Sequence, residues 1–257
     1  MTKLKHSDID IQQFHAESAP GQFEFVMSPL APVAAADALL AAREIIVSLA
    51  AKHGRLHATF LPRAYPEAPG TGAHVHFSLM PPDRHESFLA GILKHLPAIA
   101  AFTYPNDASY ERVVDSVWAG GTWIAWGTQN RETPIRRIEN SHYEVKCMDG
   151  LANPYFALGA ILGAGVQGVL DSEVLTFKDC KDDPANLSGD DRAALGITSQ
   201  FPKTFDAALD NLKNDTQLRS IMGESVYSTY STVKTEESRM LKEMEPADRR
   251  AWLIERY

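Results

Sequence analysis

The sequence predicts an α+β fold: strands with one polar and one apolar face, helices covering them, and a helical last third. Three observations predict it. Over residues 8–170, short runs alternating with period two are interspersed with longer alanine- and leucine-rich runs and punctuated by proline and glycine. From about residue 171 nearly all strand character is lost. The composition, 44% hydrophobic and 23% charged, is that of a globular chain and excludes a disordered or fibrous protein. Residues 1–170 therefore read as the sheet-bearing part and residues 171–257 as a helical part of the same domain.

Taken in order, alternation around Ile9 and Ile11 gives a first strand, followed by a polar stretch over residues 12–19. Pro20-Gly21 signals a turn, and residues 22–27 alternate again as a strand. Pro29 and Pro32 mark entry to a helix over residues 33–53, stopped by Gly54. Residues 56–61 read as a strand, 63–72 as a loop and 73–79 as a strand. Residues 85–102 suit a helix that Pro97 is expected to break or kink. Strands follow over 122–126, 135–138 and 142–147, and Asn153-Pro154 opens a helix running to about residue 170. After an acidic connector over 179–191, helices are predicted over 205–212, 217–222, 226–244 and 246–255.

Thirty-three acidic residues against 25 basic ones give a formal charge of −8, which argues against a partner bound through nucleic-acid phosphates. Two cysteines, Cys147 and Cys180, exclude a disulfide framework and a four-cysteine zinc site. Residues 1–6 lack the apolar core of a secretory signal, and no apolar run is long enough to span a bilayer. The expectation is a soluble, cytoplasmic protein with neither a membrane nor a nucleic-acid partner.

Side chains two apart on a strand share a face. His74, His76 and Ser78 therefore lie opposite Val75, Phe77 and Leu79; Gln22 and Glu24 lie opposite Phe23, Phe25 and Met27; and His142, Glu144 and Lys146 lie opposite Tyr143, Val145 and Cys147. A solvated sheet face is the plain alternative for any one stripe. Carboxylates with imidazoles, and no thiolate, instead suit Mg²⁺ or Mn²⁺. Glu17, seven residues before Glu24, adds a further carboxylate across the turn. Arg112, Arg131, Arg136 and Arg137 form a second, cationic set; arginine beside a carboxylate-held divalent ion is the arrangement phosphoryl transfer uses. No Gly-x-x-x-x-Gly-Lys loop is present, so a P-loop is excluded. Convergence of Glu24, His74 and Glu144 on one cation-sized point is expected.

Pro20-Gly21-Gln22-Phe23-Glu24-Phe25, Ala58-Thr59-Phe60-Leu61-Pro62-Arg63 and Gly70-Thr71-Gly72-Ala73-His74-Val75-His76-Phe77-Ser78-Leu79 resemble glutamine synthetase in order and spacing. Ser109-Tyr110-Glu111-Arg112, Asn130-Arg131, Glu144-Val145-Lys146, Asp149 and Ala152-Asn153-Pro154-Tyr155 continue the resemblance over almost the whole chain. It implies part of a catalytic barrel, a curved and mostly antiparallel sheet with covering helices, without the β-grasp domain and first barrel strands of the full family. It implies an ATP- and divalent-metal-dependent carboxylate–amine ligase that works through an acyl phosphate such as γ-glutamyl phosphate. Glu17 and Glu24 would hold one ion, and His74 and Glu144 the other. His76, Ser78, Arg131 and Arg136 would contact ATP; Gly70, Arg112 and Lys146 the acid substrate; Arg131 and Glu24 would be catalytic. Lys146 stands where the family carries an arginine and Pro69 where it carries an asparagine, which implies an altered substrate. The resemblance also implies a homo-oligomer or a completing chain, and its non-catalytic alternative is a binding or regulatory module.

Overall fold

The computed structural model describes residues 1–54 and 56–257. It opens with a short helix, α1 (Thr2–His6), and a hairpin of β1 (Ile11–Ala16) and β2 (Phe23–Met27). Gly21 takes φ +81° and the Gln22 N–H returns to the Ala19 carbonyl at 3.0 Å, the left-handed third position of a Pro-Gly turn. The turn sets an antiparallel register in which His15 faces Glu24. Strand β1 thus runs on into the polar stretch that starts at residue 12, because the hairpin register supplies the pairing its side chains do not advertise. Leu4, Ile9 and Ala42 form a small core beneath it.

Helix α2 (Pro32–Gly54) follows as expected. The strand expected over 56–61 is not formed. The Phe60 N–H is bonded to the Tyr257 carbonyl, and Leu61 is buried with Leu151, Leu241 and Leu253, so this segment is tied to the C-terminal helices instead of a sheet.

A second, four-stranded sheet contains β3 (Val75–Ser78), β4 (Trp126–Thr128), β5 (Ile135–Glu139) and β6 (His142–Val145) in the order β3-β6-β5-β4. Pairs β3–β6 and β5–β6 are antiparallel, while β4–β5 is parallel. Strand β4 is displaced from its expected position because Ile124 N–H and Thr122 C=O bond instead to Ser199 and Phe201. Its three residues are short enough for loop 129–134 to carry the chain back to a parallel start. The outer edge of β4 is covered by the acidic connector, where Cys180 N–H bonds to Trp126 C=O and Asp179 accepts from Thr128. The two sheets are open and do not close a barrel.

Helix α3 (His85–Thr103) is buried along most of its length and continues through Pro97, so the expected break is overridden by packing. It is followed by the single turn α4 (Asp107–Tyr110). Helix α5 (Pro154–Leu170) starts at Asn153, whose side chain accepts from the Tyr155 and Phe156 N–H groups, with Pro154 in its first turn. Helices α3 and α5 cross with almost no separation: a Cβ on Gly91 would sit 2.3 Å from the Ala164 carbonyl oxygen. The connector contains a helix the sequence reading did not expect, α6 (Gly189–Ala194), capped by Ser188. The expected helical tail is present as α7 (Phe205–Asn214), α8 (Thr216–Met222), α9 (Glu224–Glu243) and α10 (Pro246–Arg256). Ala208, Leu212, Leu218 and Tyr230 of the tail enter the main core with α3, α5 and the apolar side of the sheet.

Candidate active site

The polar side of the four-stranded sheet centres on Glu144. Register places it between His76 on β3 and Arg136 on β5. His74 Nδ1 lies 3.0 Å from Glu144 Oε1, Lys146 Nζ 3.7 Å from the same oxygen, and His76 Nε2 3.9 Å. Arg136 Nη1 is 3.1 Å from Oε2, yet at an angle that leaves this buried oxygen without a hydrogen bond among the described residues. Burial opposes ionisation of Glu144, but the His74 contact and the Lys146 and Arg136 charges outweigh it and hold the carboxyl at about 2. Burial, helped by Lys146 and Arg112, depresses His74 to about 4 despite Glu144, so its imidazole is neutral at pH 7. His76 Nδ1 contacts His142 Nε2 at 2.9 Å, and Ser78 pairs with His142 in the ladder.

Arg112 arrives from the turn after α4. Its Nη2 meets His74 Nε2 at 3.0 Å, and Nη1 donates to the Tyr104 hydroxyl at 3.3 Å. Gly70 packs on the Arg112 side chain, where a Cβ would stand 3.1 Å from Cγ. Burial lowers the Lys146 pKa, with the Arg112, Arg136 and Arg131 charges acting in the same direction. Asp149, fully buried, is pushed up to about 6 by burial although Arg112 pulls it down. Arg131 is exposed on loop 129–134, which Asn130 pins by donating to the Cys180 and Asp182 carbonyls. Arg137, next to Arg136, points away and donates to the Asn140 carbonyl.

A separate cluster sits on the hairpin. Ligand atoms of His15, Glu17 and Glu24 all lie within 4.8 Å of one another. Glu24 is raised by burial and by Glu17, whereas Glu17 is lowered chiefly by its hydrogen bond with Glu24. Gln22 Nε2 donates to the Pro69 carbonyl at 2.6 Å and ties the hairpin to the loop before β3. The expected single point shared by Glu24, His74 and Glu144 is not formed: Glu24 groups with His15 and Glu17, and His74 with Glu144. They come from two sheets that do not pair.

The hairpin cluster fits a hard divalent cation, with ligand atoms from three residues within 4.8 Å of one another. Two ligands at right angles around an ion at ~2.1 Å stand about 3 Å apart, the spacing of His74 Nδ1 and Glu144 Oε1, but Lys146 and Arg136 already face the two oxygens of that carboxylate. The hairpin offers two carboxylate groups and an imidazole. Sequence reasoning did not single out His15, and it named His142 on the polar face and Gly72 in its motif without giving either a role. Counting outward from the Pro20-Gly21 turn would have placed His15 opposite Glu24. A Cβ on Gly72 would fall 2.4 Å from His74 Nε2 and 2.6 Å from Arg112 Nη2, a closeness that no sequence signal carries.

Comparison with known proteins identifies the family to which this fold belongs. Residues 1–252 match the family model described as "Glutamine synthetase, catalytic domain", and the chain belongs to that family. Protein fluG of Emericella nidulans is 52% identical over 249 residues, covering 97% of this chain and 29% of that protein. Gamma-glutamylpolyamine synthetase GlnA3 of Streptomyces coelicolor is 35% identical, covering 87% of this chain and 52% of its own length. A solved structure of a GmaS/ADP complex shares the fold with a TM-score of 0.83 at 24% identity, over 97% of this chain and 61% of that one. The chain thus spans between 29% and 61% of the length of these relatives. No helix among the described residues is long and apolar enough to cross a membrane.

Proposed function

We propose that this domain carries the phosphate- and metal-handling side of an ATP-dependent carboxylate–amine ligase. The observation that carries the reading is Glu144, one buried carboxylate ringed by His74, Arg136 and Lys146 and kept ionised there. Its neighbours exceed it in charge, so the site lacks an anion.

In this reading the acid's carboxylate oxygen takes the γ-phosphoryl group of ATP with loss of ADP. An amine nitrogen then attacks the acyl carbon, phosphate leaves, and the nitrogen gives up a proton. Glu17 and Glu24, with His15, would hold one divalent cation and His74 with Glu144 another; such ions, when bound, neutralise phosphate oxygens. Arg136 and Arg131 take up charge on the transferring group. Arg112 and Lys146 hold the acid, with Gly70 giving the backbone room beside Arg112. His76 and Ser78 face the nucleotide. Glu24, half-exposed on the hairpin, is the catalytic carboxylate that an arriving amine reaches. The resemblance to Gamma-glutamylpolyamine synthetase GlnA3 supports an amine other than ammonia, whereas Lys146 and Pro69 bear on the acid. A second copy or another chain would complete the site.

The test is phosphate release from ATP with Mg²⁺ or Mn²⁺ and L-glutamate, offered ammonium, methylamine or putrescine. Amine-dependent release that Glu24→Ala abolishes supports the ligase. Calorimetric ATP binding with no release under any amine supports a binding module instead.

A further inference from the structure

A cleft of about 780 Å³ opens between α2, segment 57–60, the start of α5, α9 and the end of α10. No residue of the Glu144 cluster or of the hairpin lines it. Its size is that of a small-molecule site. Leu40 and Val47 of α2, Phe60, Phe156 of α5, and Val226 and Val233 of α9 make the walls mainly apolar. The polar groups that border these walls are spent on the protein itself. The Phe60 N–H bonds to the Tyr257 carbonyl, His57 Nε2 meets the Ile254 carbonyl at 2.6 Å, and the Tyr230 hydroxyl donates to the Ala101 carbonyl at 2.6 Å.

One charge in the cleft is unmatched. Arg43 donates from Nη1 to the Gly150 carbonyl at 3.1 Å, and its guanidinium lies 5.1 Å from the centre of the Phe60 ring. Among the described residues it has no ion-pair partner and no second hydrogen bond. Burial lowers its pKa, and the charge opposing that shift is Asp149, a fully buried carboxylate that also interacts with Arg112. One carboxylate therefore serves two guanidinium groups. The other cations of the lining are engaged: Lys234 pairs with Glu237, and Arg256 lies over the Trp252 ring at 3.8 Å. Glu44 and Glu255 are exposed, so water screens them from Arg43. A guanidinium with spare N–H donors matches the paired oxygens of a carboxylate. We infer that this cleft is a second ligand site and takes a small amphipathic carboxylate, its acid group on Arg43 and its apolar body along Phe60, Phe156 and Val233. An amine or a neutral chain lacks the partner that Arg43 needs. A compact anion such as phosphate leaves the apolar walls wet. The inference is independent of the ligase reading.

The probe is octanoate, titrated into the full chain by calorimetry at pH 7. Its controls are 1-octanol and octylammonium, which keep the chain and change the head group, and inorganic phosphate, which keeps the charge and lacks the chain. Expected is one octanoate per chain, bound about tenfold or more tightly than 1-octanol, the lower end for a hydrogen bond to a charged group. Octylammonium and phosphate should bind more weakly than octanoate. Arg43→Met should erase the preference for octanoate over 1-octanol and leave 1-octanol binding in place. Should that variant fail to fold, Val233→Trp, at an exposed position of α9, fills the cleft and should abolish binding of both. Equal affinity for octanoate and 1-octanol, octanoate binding that neither variant alters, or no octanoate binding overturns the inference. So does a chain that sediments as a dimer and becomes monomeric on Val233→Trp, because a second copy then fills the cleft.

Discussion

Replacing Glu144 with glutamine should destabilise the protein by about 3 kcal/mol at pH 7. The carboxyl is held at about 2 where its ordinary value is 4.5, and each pH unit of such a difference corresponds to about 1.4 kcal/mol. With 6% of the side chain exposed, solvent screening takes away little of this. Glutamine retains the shape but leaves Arg112, Arg136 and Lys146 facing one another without a counter-charge. For a chain of this size the loss corresponds to a melting point lower by about 6–12 °C. The pH dependence is the sharper part. A carboxyl lowered in the folded state stabilises fully above its unfolded value of 4.5 and ceases to do so as pH falls through about 2. The gap between wild type and Glu144→Gln in urea titrations should therefore narrow to about 2 kcal/mol by pH 3.5. Equal stability at pH 7, or a gap that does not shrink on acidification, would refute the claim that these cations need Glu144.

Gly91→Ala would place a methyl group 2.3 Å from the Ala164 carbonyl oxygen, a backbone atom, so α3 and α5 must part; a loss of about 2 kcal/mol or more is expected in chemical denaturation. Asn153→Ala removes the cap that accepts from Tyr155 and Phe156 and should cost about 1 kcal/mol, read by the same titration. Mn²⁺ should raise the melting point in proportion to the logarithm of its concentration, by the equivalent of about 2.7 kcal/mol at a hundred times its dissociation constant. Chelation should reverse that gain, and Glu17→Ala should reduce it.

Which residues share a strand face was legible, because period two forces it and Val75, Phe77, Tyr143 and Val145 all pack into the core on the other side. The tail was legible from composition and spacing; the structure adds Thr204 and Asp215 as side-chain caps at the starts of α7 and α8. Segment 56–61 was not, since its strand-like composition says nothing about a bond from Phe60 to the far end of the chain. Strand β4 slipped because residues 122–124 find their partners in Ser199 and Phe201 rather than in the sheet. Pro97 misled because helix propensity is local, whereas the burial of Ile92, Leu96, Ile99 and Phe102 around it is not. Within the site, the stripe His74, His76 and Ser78 was readable from spacing. The approach of Arg112 was not: a single-turn helix aims it, and two glycines make way for it.

The two clusters lack opposite charges. Around Glu144 one carboxylate faces Arg136 and Lys146, with Arg112 behind His74, and cation outnumbers anion. On the hairpin two carboxyl groups are pressed together, which raises Glu24 and lowers Glu17. A divalent cation relieves the second and a polyanion relieves the first. A phosphate chain that carries its own cations supplies both at once, whereas a lone carboxylic acid or a lone metal ion satisfies one cluster only. The overall charge of −8 does not forbid such a ligand. At physiological ionic strength a charge is felt over roughly 8 Å, so an incoming phosphate responds to the arginines and lysine beside it more than to acidic residues across the molecule. Local composition, not the charge of the whole chain, therefore decides what this face attracts.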